Sequence, residues 1–371
     1  MKYIQMPKDG RPVSRFGVGI LRMPKINGSI DPHQAKPLIR YAIDHGVNFF
    51  DTAYMYQGSE EALGIALEDG YREKVILSTK LPIFSVTHKD DLYKYFEEEL
   101  KRLKTDYLDY YLLHGLNVSS WKKVQQFNVL EFLTELKEKG LVKHVGFSIH
   151  ETFDHFKTVV DAYNWDLVMV QYNYYDRFNQ VGERGVKYAA SKGIAVATME
   201  SLHGGMLANN VPKAVEDAFG NWQKEKSNAE KAFMWLYNQP EVSIILSGIT
   251  TLEQLKDNIR IFSEAESNCL TEEENALFDQ AREAWYKNVN VECTGCAYCM
   301  PCPQNVDIPT IFQHYNLLVN TTEQRWVYDT IVVASGKDPS YCIECGKCEK
   351  HCPQNIKIID MLKKADQALR G

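Results

Sequence analysis

Eight of the chain's nine cysteines fall between residues 293 and 352, and they fall in two in-line runs. The first is Cys293, Cys296, Cys299 and Cys302 followed by Pro303; the second is Cys342, Cys345, Cys348 and Cys352 followed by Pro353. Thiols spaced by two or three residues can converge on one point only if the backbone between them turns tightly. Only Cys269 stands outside the runs, which argues against a disulfide framework and for a reducing compartment.

The second run has the C-x2-C-x2-C-x3-C-P spacing of bacterial-ferredoxin sites, where three close thiolates and one distant one hold a cubane cluster. The first run is one residue short before its last Cys. Zinc sites also use C-x2-C knuckles, but they bring two knuckles together from separate turns. Four cysteines in line ending in Cys-Pro favour two [4Fe-4S] clusters. The ferredoxin crossover predicts Cys293, Cys296, Cys299 and Cys352 at one cluster, and Cys342, Cys345, Cys348 and Cys302 at the other. The 39 residues between Cys302 and Cys342 carry helical patterns over Pro309–Leu318 and 323–333, and Ile358–Leu369 is a further candidate. An α-helical ferredoxin-like domain over residues 288–371 follows.

Upstream, apolar strand-like runs alternate with amphipathic helical stretches. The strands are expected at Gly17–Leu21, Val47–Asp51, Val75–Thr79, Tyr107–Leu113, His144–Ser148, Leu167–Gln171, Ala195–Thr198 and Val242–Leu246, after an N-terminal strand pair around Asp9-Gly10. The helices between them include a single one over Val124–Lys139. Gly46, Gly70, Gly140 and Gly193 stop helices just before the next strand. Eight strand–helix units over about 250 residues predict a (β/α)8 TIM barrel, residues 1–287. A net charge of −7 gives no reason to expect nucleic acid or an anionic membrane as partner. No apolar run reaches the roughly 20 residues a bilayer span needs, and the N-terminus has no signal-peptide core. The expectation is a cytoplasmic protein.

Barrels place functional groups at the C-terminal ends of their strands, and those ends are polar here: Asp51-Thr52-Ala53 with Tyr56, Thr79-Lys80, His114-Gly115. An ammonium beside a phenol favours the phenolate, a carboxylate keeps the ammonium charged, and a histidine can hydrogen-bond the same substrate oxygen. Asp51, Tyr56, Lys80 and His114 form a candidate proton-donating site.

Gly46-Val-Asn-Phe-Phe-Asp-Thr-Ala-Tyr-Met-Tyr56, Leu77-Ser-Thr-Lys80 and Asp109-Tyr-Tyr-Leu-Leu-His114 resemble the tetrad segments of the aldo-keto reductase family, and the whole chain resembles its iron–sulfur branch. The resemblance implies Tyr56 as general acid for carbonyl reduction. It also implies cofactor contacts from Ser148 and Gln171, and from Ser247, Gly248, Thr250, Gln254 and Asn258. A phosphate is expected at the loops after strands seven and eight, where Gly204 and Gly205 let backbone approach closely. Gly248 and Gln254 stand where family members often carry a cation for the adenosine 2′-phosphate, and Met199-Glu200 where an aromatic ring often stacks. NAD(P)H and FMN both remain open as cofactor. Hydride moves two electrons and a cluster one, and a flavin can split the pair. The leading expectation is an oxidoreductase acting on a small-molecule substrate, its clusters passing electrons to an external one-electron carrier. The others are a self-sufficient NAD(P)H-dependent carbonyl reductase with structural or sensory clusters, and a non-catalytic electron-transfer partner.

Overall fold

The computed structural model describes residues 1–209, 211–318, 325 and 328–370. Its central feature is a closed parallel barrel of eight strands: β1 (Phe16–Gly19), β2 (Phe49–Asp51), β3 (Ile76–Leu81), β4 (Leu108–Leu116), β5 (Val142–Ile149), β6 (Leu167–Gln171), β7 (Ala195–Met199) and β8 (Ile244–Gly248). Each strand pairs with its chain neighbours, and β8 pairs back onto β1 through Ile245↔Phe16 to Gly248↔Gly19. The eight expected strands are all present, shifted by at most three residues at their ends.

Side chains alternate in and out along a strand, and that alternation explains where the core stops and the site begins. Phe49, Ile76, Tyr110, Leu112, Leu167, Met169, Ala195, Ala197, Ile244 and Leu246 form one buried apolar cluster, joined by Met6 and Val13 from the hairpin of Tyr3–Gln5 with Pro12–Ser14. Stepping two or four residues on from these along the same strands gives Asp51, Lys80, His114, Gln171 and Gly248. The inward row is thus apolar low in the barrel and polar at the C-terminal rim.

The expected helix over Val124–Lys139 is two helices, Val118–Gln126 and Val129–Glu138. Asn128, at φ 53°, breaks the continuity, and the first of the two starts at Asn117, whose side chain caps the Ser119 and Ser120 N–H groups. A short helix at Lys213–Phe219 and a small hairpin at Lys25–Ile26 with Ser29–Ile30 have no counterpart in the sequence expectation.

The chain forms two compact units: residues 1–201 with 232–270, and residues 202–231 with 271–371. The second unit therefore includes a segment that leaves the chain just after β7. That segment packs against Glu272–Asn288, where Phe278 meets Phe219 and Trp222 at 5.1 and 5.5 Å, and Trp222 Nε1 donates to Glu274 at 2.8 Å. Elsewhere in this unit, helices Ile308–Leu317 and Ile358–Arg370 enclose a core of Val306, Ile311, Phe312, Leu362 and Leu369, and six of the cysteines pack against it. Of the helix expected over 323–333, residues 323, 324, 326 and 327 lie outside the described residues. Asp329–Val333 forms a π-helical turn.

Candidate active site and cysteine cavities

At the barrel rim, Lys80 Nζ donates to Asp51 Oδ2 at 2.5 Å and to the Thr52 carbonyl at 2.8 Å. The other Asp51 oxygen accepts from Ser78 Oγ at 3.0 Å. Asp51, Lys80 and His114 are buried; Tyr56, on the loop after β2, is half-buried. The Lys80 ammonium lies 5.2 Å from the Tyr56 ring centroid, and the His114 ring stands edge-on to that ring at 5.6 Å. Phe84 packs on the far side of His114 at 5.8 Å. The structure therefore brings the four expected side chains together, and it adds Ser78 and the Thr52 carbonyl as supports.

Burial pushes the Asp51 carboxyl up and the Lys80 ammonium down, and each partner's charge pulls the other back toward the ion pair. Burial, with the Lys80 charge beside it, holds His114 well below the usual imidazole range. His114 is therefore neutral near pH 7 and meets a substrate as a hydrogen-bonding group rather than a cation. Behind the rim, on the outward side of β3 and β4, Thr79 donates to Glu60 at 2.6 Å and Tyr111 to Glu99 at 2.6 Å. Burial pushes both carboxyl groups up, and in their ionised form each acts on Lys80 in the direction that keeps it protonated. A charged lysine near a phenol, with a neutral imidazole alongside, can deliver a proton to a developing oxyanion.

The other expected contacts fall at neighbouring strand ends, and several are engaged within the protein. Ser148 Oγ accepts from Gly115 N–H at 2.8 Å. Gln171 Nε2 donates to Asp176 at 2.8 Å. Asn258 donates to Ser247 Oγ at 3.1 Å. Gln254 accepts from the Thr250 and Thr251 N–H groups while Thr251 caps the Gln254 N–H, so this helix start satisfies itself. Gly248 is bare because the methylenes of Arg22 lie on it: an added Cβ would come within 2.9 Å of three of them. Thr250 Oγ1 donates to the Arg22 carbonyl at 3.1 Å. Gly204 and Gly205 belong to the second unit. Gly204, at φ 67°, backs onto the carbonyl of Thr294, only 2.1 Å from where its Cβ would be. The close approach expected of Gly204 is made by the first cysteine run.

The two runs share a backbone pattern. Gly295 and Ala297 in one, Glu344 and Gly346 in the other, all have positive φ, which turns successive N–H groups inward as an anion-binding concavity does. The Gly295 N–H reaches Cys293 Sγ at 3.4 Å. Each run ends in Cys-Pro-Gln-Asn, with Asn305 and Asn355 at φ 58° and 54° leading to the next helix. One cavity is lined by Cys293, Cys296, Cys299 and Cys352 with Ile308 and Phe312. A second is lined by Cys302, Cys342, Cys345 and Cys348 with Val306 and Leu362, and Cys299 also borders it. Inward N–H groups, four thiols and apolar walls are what a thiolate-bound iron–sulfur cluster requires.

Sequence reasoning missed Arg22, Ser78, Phe84, His150 and Asp176. Ser78 was within reach, since it precedes Lys80 by two on one strand and so shares its face.

Comparison with known proteins agrees with this architecture. The Aldo/keto reductase family model matches residues 15–283, and the 4Fe-4S dicluster domain model matches residues 292–356. The chain is 27% identical over 308 residues to the oxidoreductase YqkF of Bacillus subtilis, covering 74% of this chain and 95% of that protein. It is 25% identical over 333 residues to the NADH-specific methylglyoxal reductase of Escherichia coli, covering 75% and 99%. Among solved structures, aldo-keto reductase AKR11C1 of Bacillus halodurans superposes with a TM-score of 0.64 at 23% identity, covering 76% of this chain and 96% of that one. An aldo-keto reductase of Klebsiella pneumoniae in complex with NADPH gives 0.60 at 21%, covering 75% and 94%.

Proposed function

The chain belongs to the aldo/keto reductase family and carries a 4Fe-4S dicluster domain, and on that footing we propose that it is an oxidoreductase whose barrel reduces, or in reverse forms, a small carbonyl compound. The observation that carries this reading is the buried Asp51–Lys80 pair set under the Tyr56 ring, with neutral His114 edge-on to it. Tyr56 gives its hydroxyl proton to the substrate oxygen. Lys80 stabilises the phenolate left behind, Asp51 holds Lys80 charged and aimed, and His114 hydrogen-bonds the same oxygen and fixes which carbonyl face is presented. Phe84 and Phe178, both exposed, lie on two of the loops after the strands and favour an apolar or planar substrate.

The cysteine cavities fit two [4Fe-4S] clusters, one held by Cys293, Cys296, Cys299 and Cys352, the other by Cys302, Cys342, Cys345 and Cys348. A flavin bound at the mouth would supply hydride and could exchange single electrons with the clusters, whereas a nicotinamide there would supply hydride alone. The division near residue 287 separates the hydride-handling segment from the electron-handling one. The cysteine content suits a reducing compartment such as the cytoplasm. We favour the reading in which the clusters are an electron port over one in which they are structural. The dinucleotide contacts implied by the family are weak here: Gly248 lies under Arg22 and Gln254 caps its own helix. The relative named for NADH keeps the self-sufficient nicotinamide-dependent reductase as second reading. Anaerobically purified protein assayed for iron, sulfide and flavin, then for carbonyl reduction with NADH or with a one-electron donor, separates them. Turnover with NADH alone that survives Cys345→Ser would overturn the electron-port reading.

A further inference from the structure

Glu200, the first residue past β7, combines three features that a structural glutamate does not need. Its backbone is left-handed, at φ 53°, a conformation unfavourable for a non-glycine residue and held here by Asn173 Nδ2 donating to the Glu200 carbonyl at 2.9 Å. Its side chain is 14% exposed, and one carboxylate oxygen meets Arg22 Nη2 at a long 3.3 Å. The other oxygen is buried, and among the described residues no donor reaches it. Leaving a buried acceptor unmet is unfavourable, and more so when it is charged.

The position gives this acceptor a direction. Arg22 follows β1 and lies across Gly248 at the end of β8, and it is Arg22 that the Glu200 side chain meets. A side chain past the end of β7 that meets a group following β1, itself lying on the end of β8, stands at the barrel rim, where ligands of this fold bind. A carboxylate there repels a phosphate and attracts hydroxyl and N–H groups.

We propose that Glu200 is a ligand-binding residue that accepts a hydrogen bond from a neutral hydroxyl or N–H group of the cofactor, and that the rim where the loops after β7 and β8 start, at Glu200 and Gly248, therefore holds a hydrogen-bond-donating part of it rather than its phosphate. Arg22 balances the charge until the ligand's donor arrives. The inference rests on the reading of the barrel mouth as a cofactor site, but it differs from the sequence expectation of a phosphate at these loops.

The test is Glu200→Gln and Glu200→Leu in the full chain, loaded with its clusters, read by thermal unfolding without added ligand and by titration with NADH, FMN and riboflavin. Removing an unmet charged acceptor raises the unfolding midpoint by roughly 2–4 °C for each kcal/mol recovered, while affinity for whichever probe binds the unaltered protein falls tenfold or more. Riboflavin, which has FMN's donors and no phosphate, binds at least as well as FMN if flavin is the ligand. A midpoint that is unchanged or lower in both variants makes Glu200 a structural partner of Arg22 and overturns the proposal. So does a raised midpoint with unchanged or tighter binding. A raised midpoint in protein that binds none of the probes supports Glu200 as a ligand-facing acceptor and overturns the nicotinamide-or-flavin reading instead.

Discussion

Lys80→Met is the substitution that best isolates the physics of the site. Methionine keeps the length of the stem, so packing changes little; the ammonium, with its 2.5 Å contact to Asp51 and 2.8 Å contact to the Thr52 carbonyl, is lost. Asp51 is buried and, among the described residues, retains Ser78 Oγ as its side-chain donor. Breaking one half of a buried pair is unfavourable by about 3–5 kcal/mol because a charge is left uncompensated, which for a domain of this size lowers the unfolding midpoint by roughly 10 °C. Asp51→Asn combined with Lys80→Met removes both charges, so its loss of stability should be less than the sum of the singles by at least about 1 kcal/mol. The pH dependence carries a sign. Without Lys80 the folded-state pKa of Asp51 rises further above its unfolded value, so the variant's stability is greatest at low pH and falls as pH rises through that raised pKa. Thermal unfolding followed by circular dichroism at pH 5 and pH 8, on anaerobic protein, measures all of this. Additive single effects, or a penalty as large at pH 5 as at pH 8, would refute the idea that Asp51 depends on Lys80 for its charge.

Tyr56→Phe should cut carbonyl turnover by about 10²–10⁴ with the unfolding midpoint nearly unchanged, since the ring contacts remain; a smaller loss removes Tyr56 as the acid. Glu60, whose pKa burial raises to about 7, makes the protein less stable as pH climbs from its ordinary value to about 7, by on the order of 3 kcal/mol in all. Glu60→Gln should flatten that slope, and an unaltered pH–stability curve would contradict it. Gly204→Ala must relieve both a left-handed φ and a 2.1 Å approach to the Thr294 carbonyl, so the anaerobic protein should lose iron faster than the unaltered chain; equal iron retention under a chelator counts against the contact. Cys302→Ser should perturb the cluster held by Cys342, Cys345 and Cys348 and spare the other, as read by electron paramagnetic resonance; loss confined to the Cys293–Cys299 cluster would mean that each run closes its own.

The parts of this molecule that were legible in its sequence are those fixed by short-range rules. Alternation on β2, β3 and β4 is enough to set Asp51, Lys80 and His114 on one face once the strands are recognised, and the cysteine spacing announces its own chemistry. What sequence could not supply is partnership across distance. Nothing in Gly248 says that Arg22, 226 positions earlier, lies on it, and nothing in Gly204 says that its neighbour is Thr294 rather than a cofactor phosphate. The helix over Val118–Gln126 was hidden because its start depends on an asparagine cap in a stretch that reads as loop, and the break at Asn128 because one residue at positive φ leaves the apolar periodicity almost intact.

The chain passes between its two units at residues 201/202, 231/232 and 270/271, and this sets an order of events during synthesis. The segment 202–231 leaves the ribosome before the residues it packs against, Glu272–Asn288 and the loop at Thr294. At roughly 5–20 residues per second, about 60 further residues take some 3–12 s. During that wait Phe219 and Trp222 lack their aromatic partner Phe278, while β8 is still being made to close the ring. A nascent chain of this design exposes two unpartnered aromatic rings within a largely polar segment in the middle of its barrel sequence, and a chaperone that meets it there would shield Phe219 and Trp222 until Phe278 has been translated.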